Sequence, residues 1–220
     1  MLSNEKTFQK RRILSLIIIV FLSIIAVFSN PDFWSKKSPN QQTSQISQDL
    51  NSLQVKGRAP KTGYSREQFG KGWAKDSSGC DTRNRILKRD LKEARENSKC
   101  QIISGILDDP YTGKQIIFSR DKASAVQIDH VVALSDAWQK GAQQISTEER
   151  KQLANDPLNL LASDGPANQQ KGDSDAATWL PSNKVFRCEY IKRQISVKKK
   201  YRLWITQAEK SAMQTVLASC

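Results

Sequence analysis

An Asp-His step interrupts an apolar segment near the middle of the 220-residue chain. Residues 125–134 read Ala-Val-Gln-Ile-Asp-His-Val-Val-Ala-Leu, and His130 is the only histidine of the sequence. Apolar and β-branched residues in a run of this length are typical of a buried strand. The sequence therefore predicts a strand that delivers two catalytic side chains, Asp129 and His130.

The chain divides by composition into three segments. Residues 1–29 contain three consecutive basic residues at positions 10–12, followed by an apolar run from Ile13 to Phe28. This pattern predicts a signal peptide or a signal anchor. Residues 30–62 are rich in Ser, Gln, Asn, Lys and Pro and predict a flexible polar linker. Residues 63–220 are expected to form one folded domain outside the cytoplasm, either membrane-anchored through the first segment or secreted.

Four cysteines, Cys80, Cys100, Cys188 and Cys220, lie in the predicted domain. An even number of cysteines in an exported chain predicts two disulfides, and the sequence alone permits three pairings. We favour Cys80 with Cys100 and Cys188 with Cys220, because each pair brackets one local segment. A zinc site is the weaker interpretation, since the chain has no C-x-x-C pair. Free buried thiols are the remaining interpretation.

Turn and capping signals outline a mixed α+β domain. The segment Asp-Asp-Pro-Tyr-Thr-Gly is a strong turn signal, so residues 100–118 around it are predicted to form a hairpin. Helix signals recur at six further places: residues 83–94, after Ser135, at Thr147, residues 167–177, residues 184–201 and after Thr206. Together with the strand of Asp129 and His130, these elements predict a small antiparallel sheet with surrounding helices.

The formal net charge of the chain is +13. Residues 1–29 hold four basic and one acidic residue, and removing them leaves 31 basic and 21 acidic residues, a net charge of +10. A net charge this positive outside the first segment predicts a polyanionic partner such as nucleic acid. The alternative is a basic protein without such a partner. Arg83, Arg89 and Lys171 are predicted to contact the nucleic-acid backbone. The basic run at residues 198–202 is a further candidate.

Two asparagine motifs follow the Asp-His step. Residues 155–161 read Asn-Asp-Pro-Leu-Asn-Leu-Leu, and residues 168–173 read Asn-Gln-Gln-Lys-Gly-Asp. Phosphodiester hydrolysis can use one histidine as general base and one Mg²⁺ that keeps most of its waters. Asp129 and Asn168 are predicted to supply the protein's oxygen ligands to that ion. Asn159 is better placed to hold the loop around His130 by backbone hydrogen bonds.

These motifs resemble the HNH endonucleases of the ββα-metal class. More narrowly, they are similar to an exported HNH family related to the C-terminal part of some modification-dependent restriction enzymes. The similarity extends over about residues 64–220, because the segments at 79–84, 109–113 and 179–181 also match.

The resemblance implies a role for each residue of the two motifs. His130 would be the general base and Asp129 a metal ligand, while Asn159 would orient the loop. Asn168 matches the last member of the catalytic triad, which is often histidine in other members. Asparagine at that position implies Mg²⁺, or else Mn²⁺, rather than Zn²⁺.

The sequence therefore predicts an exported, monomeric, metal-dependent HNH endonuclease of the α+β class. DNA is the expected substrate and RNA an open second one, with low sequence specificity and no small-molecule cofactor. Two other interpretations stay open. A non-catalytic cell-surface protein on a nuclease scaffold would bind nucleic acid without cleaving it, and a disulfide-stabilised adhesion domain would do neither.

Overall fold

A computed structural model describes residues 39–220 of the chain, with side chains from residue 43 onward. The predicted signal segment, residues 1–29, and the first part of the predicted linker lie outside the described residues. Within residues 39–220, no helix has the length and apolar character needed to cross a bilayer.

The described residues form a mixed α+β domain. Its α-helices are Pro39–Ser52 (α1), Thr82–Asp90 (α2), Leu134–Ala137 (α3), Thr147–Asn155 (α4), Gly165–Lys171 (α5), Arg187–Lys200 (α6) and Gln207–Leu217 (α7). Its strands are Lys92–Glu96 (β1), Ile102–Asp108 (β2), Gln115–Ser119 (β3), Val126–His130 (β4) and Leu160–Asp164 (β5). The predicted class, with a small antiparallel sheet and several helices, is confirmed.

The first sheet is antiparallel and has β2 between β1 and β3. The predicted hairpin is present as β2 and β3, with Ile106 opposite Ile117. Strand β1 is a correction, because residues 92–94 were predicted to end a helix. Helix α2 stops at Asp90 and the chain turns into an extended conformation at Leu91. Pairing with β2 therefore outweighs the helix propensity of the Lys-Glu-Ala-Arg-Glu segment.

The second sheet is the antiparallel pair β4–β5, and α5 follows β5 directly. Its register places His130 opposite Leu160 and Val126 opposite Asp164. The Asp164 carboxylate caps α5 by accepting from the backbone N–H of Ala167. This strand–loop–strand–helix unit brings the end of β4 next to α5.

The core fixes the backbone around Asp129 and His130 from three sides. Ile128 belongs to the buried cluster that includes residues of β2, β3 and α2. Val131 belongs to a second cluster, with α1, α6 and α7, and Val132 to a third, with α3 and α4. Neighbouring residues of one short segment therefore enter different apolar clusters, which leaves the segment little freedom to shift.

The predicted flexible linker is wrong for the described part of residues 30–62. Ile46, Leu50 and Leu53 lie on one face of α1 and at its end, and they pack into the core, where Leu50 is 1% and Leu53 7% exposed. Further along, Val55 forms a parallel bridge with Ile205. The segment is polar in composition, but its few apolar residues recur at the spacing of a helix face, so they suffice to anchor it.

Both preferred disulfides are present. Cys80 is bonded to Cys100 and Cys188 to Cys220, with sequence separations of 20 and 32 residues. The first bond ties the start of α2 to the turn before β2. The second ties the start of α6 to the end of the chain.

Loss of the Cys188–Cys220 bond should destabilise the domain. In the chain-entropy model, closing a loop of this length stabilises the folded state by about 3–4 kcal/mol. We expect a Cys188→Ser/Cys220→Ser variant of the full chain to lose about that much free energy of unfolding in urea. The control is the wild-type chain with reductant, which breaks both disulfides and should therefore lose at least as much stability as the variant. Equal unfolding midpoints for the variant and the oxidised wild type would contradict the prediction.

Candidate active site around His130

A cavity of about 560 Å³ opens beside the end of β4. Its polar and charged lining residues are Lys61, Tyr64, Arg66, Arg83, Gln127, Asp129, His130, Ser135, Asn168 and Asp173. Three of the four predicted catalytic residues, Asp129, His130 and Asn168, are therefore brought to one place from β4 and α5. Asn159 lies behind the cavity.

Asp129 is buried and both of its carboxylate oxygens accept a hydrogen bond. The Tyr111 hydroxyl donates to Oδ2 at 2.5 Å, and the Lys171 ammonium donates to Oδ1 at 3.0 Å. Burial raises the pKa of Asp129 above its ordinary value, and the positive charge of Lys171 acts against that rise. The same ammonium donates to the backbone carbonyl of His130 at 2.9 Å, so one cation holds both neighbours.

His130 is held by a ring contact and a backbone hydrogen bond. Its imidazole stacks on Trp73 with 5.6 Å between ring centroids and 12° between planes. Nε2 lies 2.9 Å from the carbonyl oxygen of Ala154. A carbonyl only accepts, so Nε2 carries the proton and Nδ1 keeps its lone pair. Burial lowers the pKa of His130 from 6.5 to about 3, which keeps the ring neutral at physiological pH.

Asn159 is fully buried and braces the loop that follows His130. Its Oδ1 accepts from the backbone N–H of Val132 at 2.8 Å, and its backbone oxygen accepts from the N–H of Val131 at 2.8 Å. Its Nδ2 donates to the carbonyls of Val132 and Leu153. This geometry agrees with a loop-holding role rather than with contact to a reacting group.

Asn168 stands on α5 and faces the cavity together with Gln127. Its Nδ2 donates to Oε1 of Gln127 at 2.8 Å. That bond uses the amide nitrogen, so the amide oxygen, which is the atom a metal would bind, is left outside it. Gln127 precedes Asp129 by two residues on β4 and therefore sets the orientation of a residue on another element.

The donor atoms at the cavity fit a hard divalent cation. An ionised carboxylate has about four lone-pair sites, and Tyr111 and Lys171 use one on each oxygen of Asp129, which leaves one on each. Together with the Asn168 oxygen, this is the sparse oxygen set that Mg²⁺ accepts while keeping several waters. Within residues 43–220, the group of His, Cys or acidic side chains close enough for a softer metal lies elsewhere, at Cys80, Glu96 and Cys100, whose cysteines are disulfide-bonded.

Two of the three residues predicted to contact nucleic acid bind other groups of the protein. Lys171 is only 1% exposed, and its ammonium is bound to Asp129 and His130 as described above, so it does not reach a phosphate in solution. Arg89 does not line the cavity. Its guanidinium binds both oxygens of Asp90 and the carbonyls of Pro157 and Leu160. Burial contradicts the predicted phosphate contact of Lys171, whereas the Arg89 side chain is 35% exposed and its predicted contact stays a prediction.

Arg83 lines the cavity, and its predicted contact with nucleic acid stays a prediction. One guanidinium nitrogen donates to the carbonyls of Ala123 and Val126 just before and at the start of β4.

The run of basic residues at 198–202 does not form a free basic stripe. Lys198 is buried against Asp136 and Glu209, and the next two lysines pair with Asp49 and Asp156.

Lys61, Tyr64 and Arg66 form a further wall of the cavity, and no motif of the sequence predicted a role for them. Lys61 was placed in the linker, and Tyr64 and Arg66 at the unassigned start of the domain. The exposed side chain of Arg66 has no hydrogen bond or ion pair to any other described residue, whereas Lys61 pairs with Asp173. The alternation of basic and aromatic residues over positions 61–75 is the signal that could have identified this wall.

Comparisons with known proteins relate the chain to one family. A family model described as GmrSD restriction endonucleases, C-terminal domain, matches residues 81–216. An uncharacterized secreted protein of Arthroderma benhamiae is 38% identical over 185 residues, which cover 83% of this chain and 88% of the relative. No solved structure matches the chain significantly. The predicted relation to the C-terminal part of modification-dependent restriction enzymes is thus confirmed, and the chain belongs to the family of GmrSD restriction endonuclease C-terminal domains.

Proposed function

We propose that this protein is an exported, metal-dependent endonuclease that hydrolyses phosphodiester bonds of DNA. Membership of a restriction endonuclease family indicates a nuclease-type enzyme with nucleic acid as substrate. The observation that carries the finer proposal is that His130, whose Nδ1 is left unprotonated by the bond from Nε2, lines one cavity together with Asp129 and Asn168. In this proposal, β4, β5 and α5 are the ββα core of an HNH nuclease.

His130 would act as the general base. A water molecule in the cavity gives its proton to Nδ1, its oxygen forms a bond to phosphorus, and the bond from phosphorus to the leaving 3′-oxygen breaks. The leaving oxygen then takes a proton from solvent. The hydrogen bond from Nε2 to Ala154 and the stack on Trp73 hold the ring throughout, so that Nδ1 faces one direction.

Asp129 and Asn168 would hold one divalent cation, Mg²⁺ by preference. Such an ion would polarise the scissile phosphate and neutralise charge on the leaving oxygen. The protein's own contribution is to hold the two ligand oxygens still. Tyr111 and Lys171 fix the carboxylate of Asp129, and Gln127 fixes the amide of Asn168.

Cleavage should depend on a hard metal ion. We expect the full chain to nick plasmid DNA with Mg²⁺ or Mn²⁺, and EDTA to lower the rate about a hundredfold or more, since metal ions supply several kcal/mol in such reactions. Zn²⁺ should not substitute, because the ligand atoms are oxygens.

The metal titration also separates the rival interpretations. Equal cleavage with and without EDTA would contradict the proposed metal. Tight, salt-sensitive binding without cleavage under any metal would instead support a non-catalytic nucleic-acid-binding protein. Neither binding nor cleavage would support an adhesion domain.

An extracytoplasmic location agrees with two further observations. The relative from Arthroderma benhamiae is described as a secreted protein. All four cysteines of this chain are in disulfides, which persist in oxidising compartments. We propose that the domain works outside the cytoplasm as a monomer, either secreted or held at the membrane by the N-terminal segment.

A further inference from the structure

One wall of the cavity comes from residues that precede the region matched by the family. Lys61, Tyr64 and Arg66 line the cavity, whereas the family match begins at residue 81. The wall is fixed to the domain. The backbone N–H of Ala59 donates to the carbonyl of Gln139, and the indole of Trp138 donates to the carbonyl of Thr62. This segment therefore adds a built surface to the family's core.

Tyr64 gives this wall an aromatic surface. Its ring is half-buried and contacts Phe69 and Trp138 edge-on, with centroids 6.3 Å and 6.2 Å away. The Lys61 ammonium lies 5.4 Å from the ring centroid. Two aromatic neighbours and a cation therefore keep the phenol ring in place at the cavity. A fixed aromatic ring beside a basic wall is the combination on which unpaired bases stack.

The charges on the cavity lining favour a phosphate next to that ring. Asp129 is neutralised by Lys171 and Asp173 by Lys61. This pairing leaves the guanidinium groups of Arg66 and Arg83 without a carboxylate partner among the described residues. An anionic phosphate between the two walls would be attracted to both.

We propose that Lys61, Tyr64 and Arg66 form a subsite for one unpaired nucleotide beside the scissile phosphate, with its base stacked on Tyr64 and its phosphate bound by Arg66. The proposal rests on the nuclease function proposed above and adds its substrate class. The cavity volume of about 560 Å³ lies within the range of roughly 300–1,000 Å³ typical of pockets for molecules of this size. In a duplex the faces of each base are covered by neighbours, so only a single strand or an extruded base can stack on Tyr64.

The test compares one oligonucleotide as a single strand and in a duplex, with the full chain and Mg²⁺. We expect kcat/KM to be roughly tenfold higher for the single strand, since stacking on one aromatic ring contributes about that much. Tyr64→Ala should remove most of this preference, and Tyr64→Phe should keep it because the ring remains. Lys184→Ala is the control for loss of an exposed surface lysine outside the cavity, and it should not change the preference.

Equal cleavage of the two substrates by the wild type would overturn the subsite. So would a Tyr64→Ala variant that loses activity on both substrates to the same extent. If the wild type cleaves neither substrate, the nuclease proposal fails, and the subsite is then tested alone by binding in EDTA. The wild type and Tyr64→Phe should both quench the fluorescence of a single strand that contains 2-aminopurine. Quenching that persists in Tyr64→Ala would overturn the subsite.

Discussion

Replacing His130 by alanine is expected to lower the rate of DNA cleavage by about a thousandfold, because a positioned general base contributes roughly 10²–10⁴-fold to such reactions. The fall should appear in kcat, with little change in KM, since no described contact suggests that the imidazole holds a phosphate. Plasmid nicking under single-turnover conditions measures the effect directly. Binding of DNA by the variant in EDTA, measured in parallel, should equal that of the wild type.

Chemical rescue separates a missing base from a damaged fold. His130→Ala leaves space for a small base next to Trp73, so added imidazole should restore part of the cleavage rate. Asn168→Ala is the matched control, because it removes a proposed metal ligand that imidazole cannot replace as a hard oxygen donor. Wild-type cleavage by His130→Ala would show that another group activates the water and would end the proposed role of His130.

Local signals in the sequence were sufficient where a segment's structure is decided by neighbouring residues. The helix predicted from residue 83 is α2, and Asp81 caps it with a carboxylate that accepts from the backbone N–H of Asn84. The helix predicted at Thr147 is α4, and it begins with a capping box between Ser146 and Glu149. The strand of Asp129 and His130 was predicted from its apolar run. In each case the pattern and the structure have the same local physical cause.

The sequence was insufficient where the partner of a residue lies far along the chain. Lys140 is 0% exposed, and besides its neighbour Asp136 it binds Asp175 and Glu209, which lie 35 and 69 residues further along the chain. Strand β1 likewise depends on pairing with β2. No pattern within a short window specifies such partners, because the stabilising contact forms only in the tertiary structure.

The candidate site shows the same division. Asp129, His130 and Asn168 could be identified because their motifs are local and ordered. The wall of Tyr64 and Arg66 could not be assigned to the cavity, since its residues were placed at or before the start of the domain. The role of Lys171 could not be predicted either, because it depends on the burial of the side chain, which the sequence does not show.

Lys171→Met should mainly reduce stability, by about 3–5 kcal/mol, because it removes the cation that pairs with a buried carboxylate. In the variant, Oδ1 of Asp129 and the carbonyl of His130 both lose their donor, while methionine fills the same volume without replacing the charge. Urea unfolding of the full chain measures the loss, and Lys184→Met is the matched control at an exposed lysine. We expect cleavage by the folded fraction to fall as well, since Asp129 and His130 lose a shared anchor.

The prediction from the sequence alone was different, and the two can be told apart by one set of measurements. Replacing a lysine that contacts phosphate should raise KM and leave stability unchanged. It should also reduce the slope of log binding constant against log salt concentration by about one. Lys171 is only 1% exposed and lies between Asp129 and His130, so its replacement should instead lower stability and leave the salt dependence of binding unchanged. An unchanged unfolding midpoint with weaker, less salt-dependent binding would show that Lys171 contacts the nucleic acid, as the sequence predicted. A lowered midpoint with unchanged salt dependence would establish it as the counter-ion that holds the catalytic carboxylate in place.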